Sequence, residues 1–416
     1  MKYIRLFEND SDYSQYVGGG GTDYVEPHVV AIKNSINVYY KGLPMTEKVS
    51  EYLTMEALED GFTVSYTESE NTIQYSIDNC QTWNELPPDT ETPAINTGDK
   101  ISFKCNVSDL EYFEPGMFST HSDFNLKGNV MSMLFGDEGN NNFDLTGYDY
   151  AFTRLFWHCR NLQSVSKDFL PATTLSEGCY FSMFEGCTSL VTAPELPATT
   201  LAEDCYTHMF SDCESLTQSP ELPATTLAKN CYGGMFANTN ILPDCSNIDF
   251  TSESVVASGG LKELFMDTVV TDEDLYNILP INPSTGKYWL PVTTLANNCY
   301  ENMFYGCSSL VTAPELPATT LAISCYTGMF RNCKSLVNAP ILSATILVTG
   351  CYNTMFYNSP NLKYIKALFT TTPGPSYTSV WVGSVSSTGT FVKNADATWN
   401  VTGNNGIPTG WTVETV

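Results

Sequence analysis

The amino-acid sequence predicts an α/β repeat solenoid that follows a small all-β module and an N-terminal segment. Three observations support this fold class: a motif that recurs every 26 residues, alternating apolar residues ahead of it, and a glycine-rich stretch near the start. We divide the 416 residues into an N-terminal segment (1–60), a β module (61–107), a solenoid (108–376) and a C-terminal β cap (377–416). With 42% hydrophobic residues, the chain has enough apolar material to build a core.

The N-terminal segment carries aromatic residues on both sides of four consecutive glycines, residues 18–21. The glycines predict a hinge, because no Lys-Ser pair or helix start follows them as in a phosphate-binding loop. No apolar run of secretory length occurs at the start, so we expect no signal peptide. The segment has no evident core of its own and is expected to anchor or oligomerise the chain. Candidate anchor residues are Tyr3, Leu6, Phe7, Tyr24 and Pro27.

The β module is predicted from three stretches in which apolar and polar residues alternate. These are residues 62–66, 73–77 and 100–104. A period of two places alternate side chains on opposite faces of a strand. The module is therefore expected to form a small sheet or β-sandwich.

The solenoid is predicted from two motifs that run in step. Leu-Pro-Ala-Thr-Thr-Leu begins at Leu170, Leu196, Leu222 and Leu316, and Cys-Tyr-x-x-Met-Phe follows it at a constant offset. The phenylalanine of the second motif defines a ladder: Phe156, Phe184, Phe210, Phe236, Phe265, Phe304, Phe330 and Phe356. Such units cannot bury their apolar residues alone and must stack to form a continuous core.

Each coil is expected to contain a short helix and a short strand. Between Leu201 and Cys213, apolar residues recur at helical spacing. Pro220 and Pro223 then favour an extended path. Strands of adjacent coils should lie about 4.8 Å apart. Met117-Phe118 and Leu134-Phe135 are candidate rungs ahead of the regular ladder. Thr271 is expected to cap a helix in the insertion.

The cysteines form two rungs within this pattern. The first rung is Cys179, Cys205, Cys231, Cys299, Cys325 and Cys351. A second rung lies eight positions later, as in Cys187, and lapses to Thr239 and Ser359. We favour buried free thiols over disulfides or zinc, because zinc sites need ligands at shorter spacing and could not lose one so freely.

The sequence Met303 to Leu310, MFYGCSSL, resembles the BspA-type leucine-rich repeats of gut Bacteroidetes and their phages. The tail from Trp381 to Trp411 is similar to the segment that closes such arrays, which implies a cap with β-hairpin character. The pattern KYIRLF followed by DYVEPHV resembles N-terminal segments of virion fibre proteins in crAss-like phages, in which this segment would be the particle anchor. The resemblance implies a leucine-rich-repeat solenoid that binds or adheres.

Composition and motifs argue against several functions. A net charge of −27 disfavours nucleic acid and anionic membranes, and no stretch is long and apolar enough for membrane insertion. Catalytic motifs are absent, so we expect no enzyme and no cofactor. A glycosidase carboxylate pair remains a minor alternative. The acidic stretch 137–144 is expected to be a solvated loop, with Ca²⁺ binding as the alternative.

These observations lead to an expected function. We expect a phage virion structural protein, a head or tail fibre component made in the bacterial host cytoplasm and displayed on the virion surface. Its expected partners are other virion proteins through the N-terminus and a host surface protein or glycan. Fibre components are commonly symmetric, so a homotrimer is predicted. The alternative is a BspA-like adhesin on a bacterial cell surface.

Overall fold

The computed structural model divides the chain into two compact units, Met1–Glu51 and Tyr52–Val416. It describes residues 28–32, 35–40, 43–44, 52–67, 73–105, 118–224, 227–251 and 259–416. In the first unit, the described residues form an antiparallel three-stranded sheet. Its strands are β1 (His28–Ile32), β2 (Ser35–Tyr40) and β3 (Leu43–Pro44).

The second unit opens with a six-stranded sheet that joins the β module to the solenoid. Its order is β11-β10-β4-β8-β6-β7, and β5 pairs separately with β9. The strands are β4 (Leu53–Ala57), β5 (Val64–Tyr66), β6 (Ile73–Ser76), β7 (Asn84–Leu86), β8 (Lys100–Cys105), β9 (Phe118–Thr120), β10 (Phe124–Lys127) and β11 (Leu162–Val165). Strand β4 lies before the expected start of the module, yet it occupies the middle of the sheet. Module and solenoid share one continuous hydrophobic core.

The described residues contain two short α-helices, α1 (Ser132–Phe135) and α2 (Asp272–Ile278), and a 3-10 helix at Gly136–Asn141. Thr271 caps α2 as predicted: its hydroxyl accepts from the Asp274 amide, and the Asp274 carboxylate accepts from the Thr271 amide. No helix in the described part of the chain has the length and apolar character required to cross a bilayer.

The predicted short helix in each coil is wrong, because these segments are chains of turns. In the coil that contains Cys179, the N–H groups of Phe181, Met183 and Glu185 each donate to the carbonyl three residues earlier. The alternate N–H groups, such as those of Tyr180 and Phe184, donate to carbonyls of the following coil. Turn closure and stacking therefore share the backbone donors equally, whereas a helix would use all of them internally.

A left-handed residue at every fourth position makes this path possible. In the next coil these residues are Asp204, His208 and Asp212, with φ between 54° and 59°. Between them, buried residues come in adjacent pairs, such as Cys205-Tyr206. A period of four is close enough to 3.6 that the apolar residues alone suggest a helix.

The opposite half of each coil is extended, and it meets its neighbours in parallel, as expected. Bridges such as Ser164 to Thr192 and Thr312 to Asn338 connect successive coils. Towards the C-terminus they widen into a parallel sheet of β12 (Asn338–Leu342), β13 (Tyr364–Ala367), β14 (Thr390–Lys393) and β15 (Thr412–Thr415). Strands β13, β14 and β15 pair in parallel, so the predicted β-hairpin character of the cap is wrong. The tail continues the solenoid.

Candidate binding surfaces

The extended side of the solenoid carries a groove of about 550 Å³ that crosses three consecutive coils. It is lined by the segments 165–167, 191–197 and 217–221, together with Pro223. Equivalent positions of neighbouring repeats therefore face one another across it. A concave surface of this kind, built by stacking, is the usual binding surface of a solenoid.

Prolines reduce the hydrogen bonding between the coils that line the groove. Four of them line it: Pro194, Pro197, Pro220 and Pro223. Because proline has no N–H, it cannot donate to a neighbouring coil. The coils instead join at separate points, where the Val191 amide donates to Gln163 (2.9 Å) and the Thr217 amide donates to Val191 (3.3 Å).

The groove combines an apolar patch with a few exposed charges. Val191 is 38% exposed. The Lys167 Nζ atom lies 3.6 Å from the Glu195 carboxylate, and both side chains are largely exposed. A surface ion pair of this kind contributes only about 0–1 kcal/mol, so a ligand can replace it at little cost. Glu221 adds a second carboxylate to the wall.

On the turn side, outward-facing side chains mostly bind the neighbouring coil. The Tyr150 hydroxyl donates to Glu177 at 2.6 Å, and this bond raises the pKa of Tyr150 to about 12. Burial raises the pKa of Glu301, although Lys262, whose Nζ lies 3.7 Å from its carboxylate, opposes the shift. These groups hold coils together.

The predicted phenylalanine ladder lies inside the solenoid, where every member is fully buried. Phe184 stacks on Phe210 with ring centroids 5.7 Å apart, and Phe304 stacks on Phe330 at 5.6 Å. Phe118 extends the ladder, stacking 5.6 Å from Phe156. Phe135 packs edge-on against Tyr148 at 5.1 Å, so the prediction of an early rung there is wrong. Buried tyrosines of the Cys-Tyr motif form a second column, which the sequence prediction did not include: Tyr180, Tyr206, Tyr232, Tyr300, Tyr326 and Tyr352.

The first-rung cysteines are also inside, and none of the fourteen cysteines forms a disulfide. Their buried members are Cys179, Cys205, Cys231, Cys299, Cys325 and Cys351. Burial raises the pKa of the Cys179 thiol to about 12, and it raises the pKa of Cys205 further above its ordinary value. Thiols held neutral in this way are poor nucleophiles and poor metal ligands.

The second-rung cysteines do more than fill space, which the sequence prediction missed. The Cys213 thiol donates to the Phe184 carbonyl of the preceding coil at 3.1 Å. Cys187, Cys307 and Cys333 make the equivalent bond to the phenylalanine carbonyl before them. Ser359 replaces cysteine on this rung and keeps the bond, because its hydroxyl donates to Phe330 at 2.9 Å. Thr239, on the same rung, instead donates to the Phe236 carbonyl of its own coil at 2.7 Å, so the rung holds a small donor but does not always bond to the preceding coil.

Two sequence predictions remain, the candidate anchor residues and the acidic stretch. The candidate anchor residues Tyr3, Leu6, Phe7, Tyr24 and Pro27 lie outside the described residues. In the acidic stretch 137–144, the Asp137 carboxylate accepts hydrogen bonds from Tyr52 (3.0 Å) and Lys104 (2.7 Å). Across the described ranges, no three His, Cys, Asp or Glu side chains come together as a metal site would require.

Comparison with known proteins adds no relative to this description. No family model, no curated protein and no solved structure matches the chain. The fold is a repeat solenoid with few helices and a small β module, and its function rests on its own surfaces.

Proposed function

We propose that the chain is a non-enzymatic attachment protein, a head or tail fibre component of a bacteriophage virion. In this proposal the solenoid is displayed on the virion surface and binds a host surface protein or glycan. Contacts with other virion proteins come from the N-terminal unit. We also propose that the repeats are of the BspA leucine-rich type, on the strength of the motif around Met303 to Leu310.

The groove on the extended side is the observation that carries this proposal. Its walls repeat with the coils, and its floor has exposed apolar surface at Val191 beside an exposed ion pair. The same motif, Val-Thr-Ala-Pro-Glu-Leu-Pro, occurs at residues 191–197 and 311–317. A rigid scaffold that repeats one surface suits contact with a repetitive host glycan through several weak sites.

A cell-binding experiment tests attachment. The labelled chain is incubated with cultured Bacteroidetes cells, and the bound fraction is measured by flow cytometry. We expect Val191→Glu to reduce binding, because it places a charge on the apolar floor of the groove. Val413→Glu is the control, since Val413 is also exposed but lies on β15, outside the groove and outside this repeated motif. Equal loss in both variants would argue against the groove.

The oligomeric state tests the role of the N-terminal unit. Light scattering is used to compare the whole chain with a truncation that lacks residues 1–51, the first compact unit. A trimer that dissociates on truncation supports a fibre assembled through this unit. A monomer in both samples favours the cell-surface adhesin instead.

A further inference from the structure

Arg331 is held between two tyrosine rings on the turn side of the solenoid. Its guanidinium carbon lies 5.5 Å from the ring centroid of Tyr305 and 5.1 Å from that of Tyr357. The three residues occupy equivalent positions in three consecutive coils. We call them the Tyr-Arg-Tyr clamp. Contact with an aromatic ring on either side restricts the guanidinium to a narrow range of orientations.

The clamp leaves the donors of Arg331 unused. Within the described residues, Arg331 makes no ion pair, and its Nε atom is shielded from solvent without a hydrogen-bond partner. The two terminal nitrogens are not shielded in this way. The terminal nitrogens are therefore the side-chain donors that an acceptor group can reach, whereas the Nε donor stays shielded. Any such group must approach end-on, through the terminal nitrogens.

The surroundings of the clamp differ in charge from the chain as a whole. The neighbouring outward positions are Asn332 and Asn358, whose side chains bond to each other at 2.8 Å. Lys334 follows three residues after Arg331. The Asp267 carboxylate lies over Gly306 in the same column, yet it makes no ion pair with Arg331. In a chain with net charge −27, this is a local site that favours an anion.

We propose that the Tyr-Arg-Tyr clamp binds the carboxylate group of an acidic glycan. The two terminal nitrogens of a guanidinium match the two oxygens of a carboxylate. Because the tyrosines already orient the guanidinium, little conformational freedom is lost on binding. The Asn332 and Asn358 amides, which bond to each other through one donor and one acceptor, keep further donors and acceptors for sugar hydroxyls, and the two tyrosine hydroxyls can serve in the same way.

This site is separate from the groove, so its binding can be measured whether or not the groove contacts a host. The probe is an oligogalacturonate, and its matched control is the same oligosaccharide with its carboxylates methyl-esterified. Titration calorimetry with the whole chain gives both affinities. We expect binding of the free acid and about tenfold or more loss on esterification. Sialyllactose, compared with lactose, distinguishes a sialic acid source from a uronic acid source.

Variants assign the binding to the clamp. Arg331→Gln should weaken oligogalacturonate binding about tenfold or more, and Arg331→Lys should weaken it too, because lysine keeps the charge but lacks the paired donors. Arg154→Gln, which removes an arginine beside Trp157 elsewhere on the turn side, should leave the affinity unchanged. Thermal unfolding confirms that each variant is folded. If Arg331→Gln does not fold, Arg331→Lys tests the clamp in its place.

Three results would overturn the proposal. The first is equal affinity for the free and the esterified oligosaccharide. The second is unchanged affinity in folded Arg331 variants. The third is tighter, Arg331-dependent binding of a glutamate-rich peptide, which would assign the clamp to acidic proteins.

Discussion

On the turn side of the solenoid, the backbone donors alternate between closing a turn and bonding to the next coil. On the extended side of the same coils, prolines remove donors, and the coils meet at isolated points around an open groove. The difference separates two tasks. The turn side and the interior stabilise the stack, whereas the extended side can change its side chains without breaking the repeat. The following predictions test this division, from the largest expected effect to the smallest.

Alkaline pH should unfold the solenoid because its interior holds neutral thiols. Burial raises the pKa of Cys159, Cys179 and Cys231 from 9.0 to about 12. Between these values, the unfolded chain has lost protons that the folded chain retains, so the free energy of unfolding falls as pH rises. Each thiol contributes about 1.4 kcal/mol per pH unit in that window.

With several such thiols, a stability of about 5–15 kcal/mol is exhausted within a few pH units above 9. Circular dichroism from about pH 9 to about pH 12, the window between the two pKa values, measures the transition. Native structure that persists near the upper limit would mean that the thiols ionise within the folded chain, and that water reaches them.

Truncation of a side chain in the interior should lower the free energy of unfolding far more than truncation of a side chain in the groove. Phe210→Ala removes a fully buried ring that stacks on both neighbours, and should cost about 3–5 kcal/mol. Val191→Ala on the floor of the groove should cost about 0.5 kcal/mol or less. Denaturant unfolding measures both. Similar values for the two variants would contradict the division between the sides.

A methyl group at Gly306 should strain the turn side. Gly306 has φ +73°, and an added Cβ would clash with the Asp267 carboxylate of the preceding coil. We expect Gly306→Ala to cost about 1–3 kcal/mol. Combining it with Asp267→Ala should recover the part that is due to the clash, which a double-mutant cycle measures. Additive costs would show that backbone strain alone is responsible.

The second cysteine rung should accept serine more readily than valine. Cys213→Ser keeps a donor for the Phe184 carbonyl, as Ser359 does for Phe330, and should cost about 1 kcal/mol or less. Cys213→Val loses the donor and adds bulk in a packed interior, at about 1–3 kcal/mol. Thermal unfolding compares the two. A larger cost for Cys213→Ser than for Cys213→Val would mean that packing, and not the hydrogen bond, determines which residue this rung accepts.

The sequence already contained evidence for the turns, although we predicted helices there. Positions just before each buried pair hold residues that tolerate a left-handed conformation, such as Gly178, Asp204 and Asn230. Glycine, aspartate and asparagine at every fourth position are poor helix formers. Apolar spacing alone could not reveal this, because periods of four and 3.6 stay close over the few turns of one such segment.

The candidate binding surfaces were harder to predict from the sequence. The prolines of the groove were read as signs of an extended path, but the opening between coils depends on how three repeats stack. Arg331 is one residue in one repeat, and nothing local indicates that Tyr305 and Tyr357, each 26 residues away, lie on either side of it.

By itself, the sequence determined the repeat, its length, the residues that form its buried ladders and the capped helix α2. These follow from periodicity and local chemistry, which act along the chain. Only the tertiary structure decided how the backbone donors are shared between coils, that the tail continues as a parallel sheet, and which side chains meet as the groove and the clamp. Those outcomes depend on contacts between residues 26 or more positions apart, where stacking geometry sets the neighbours.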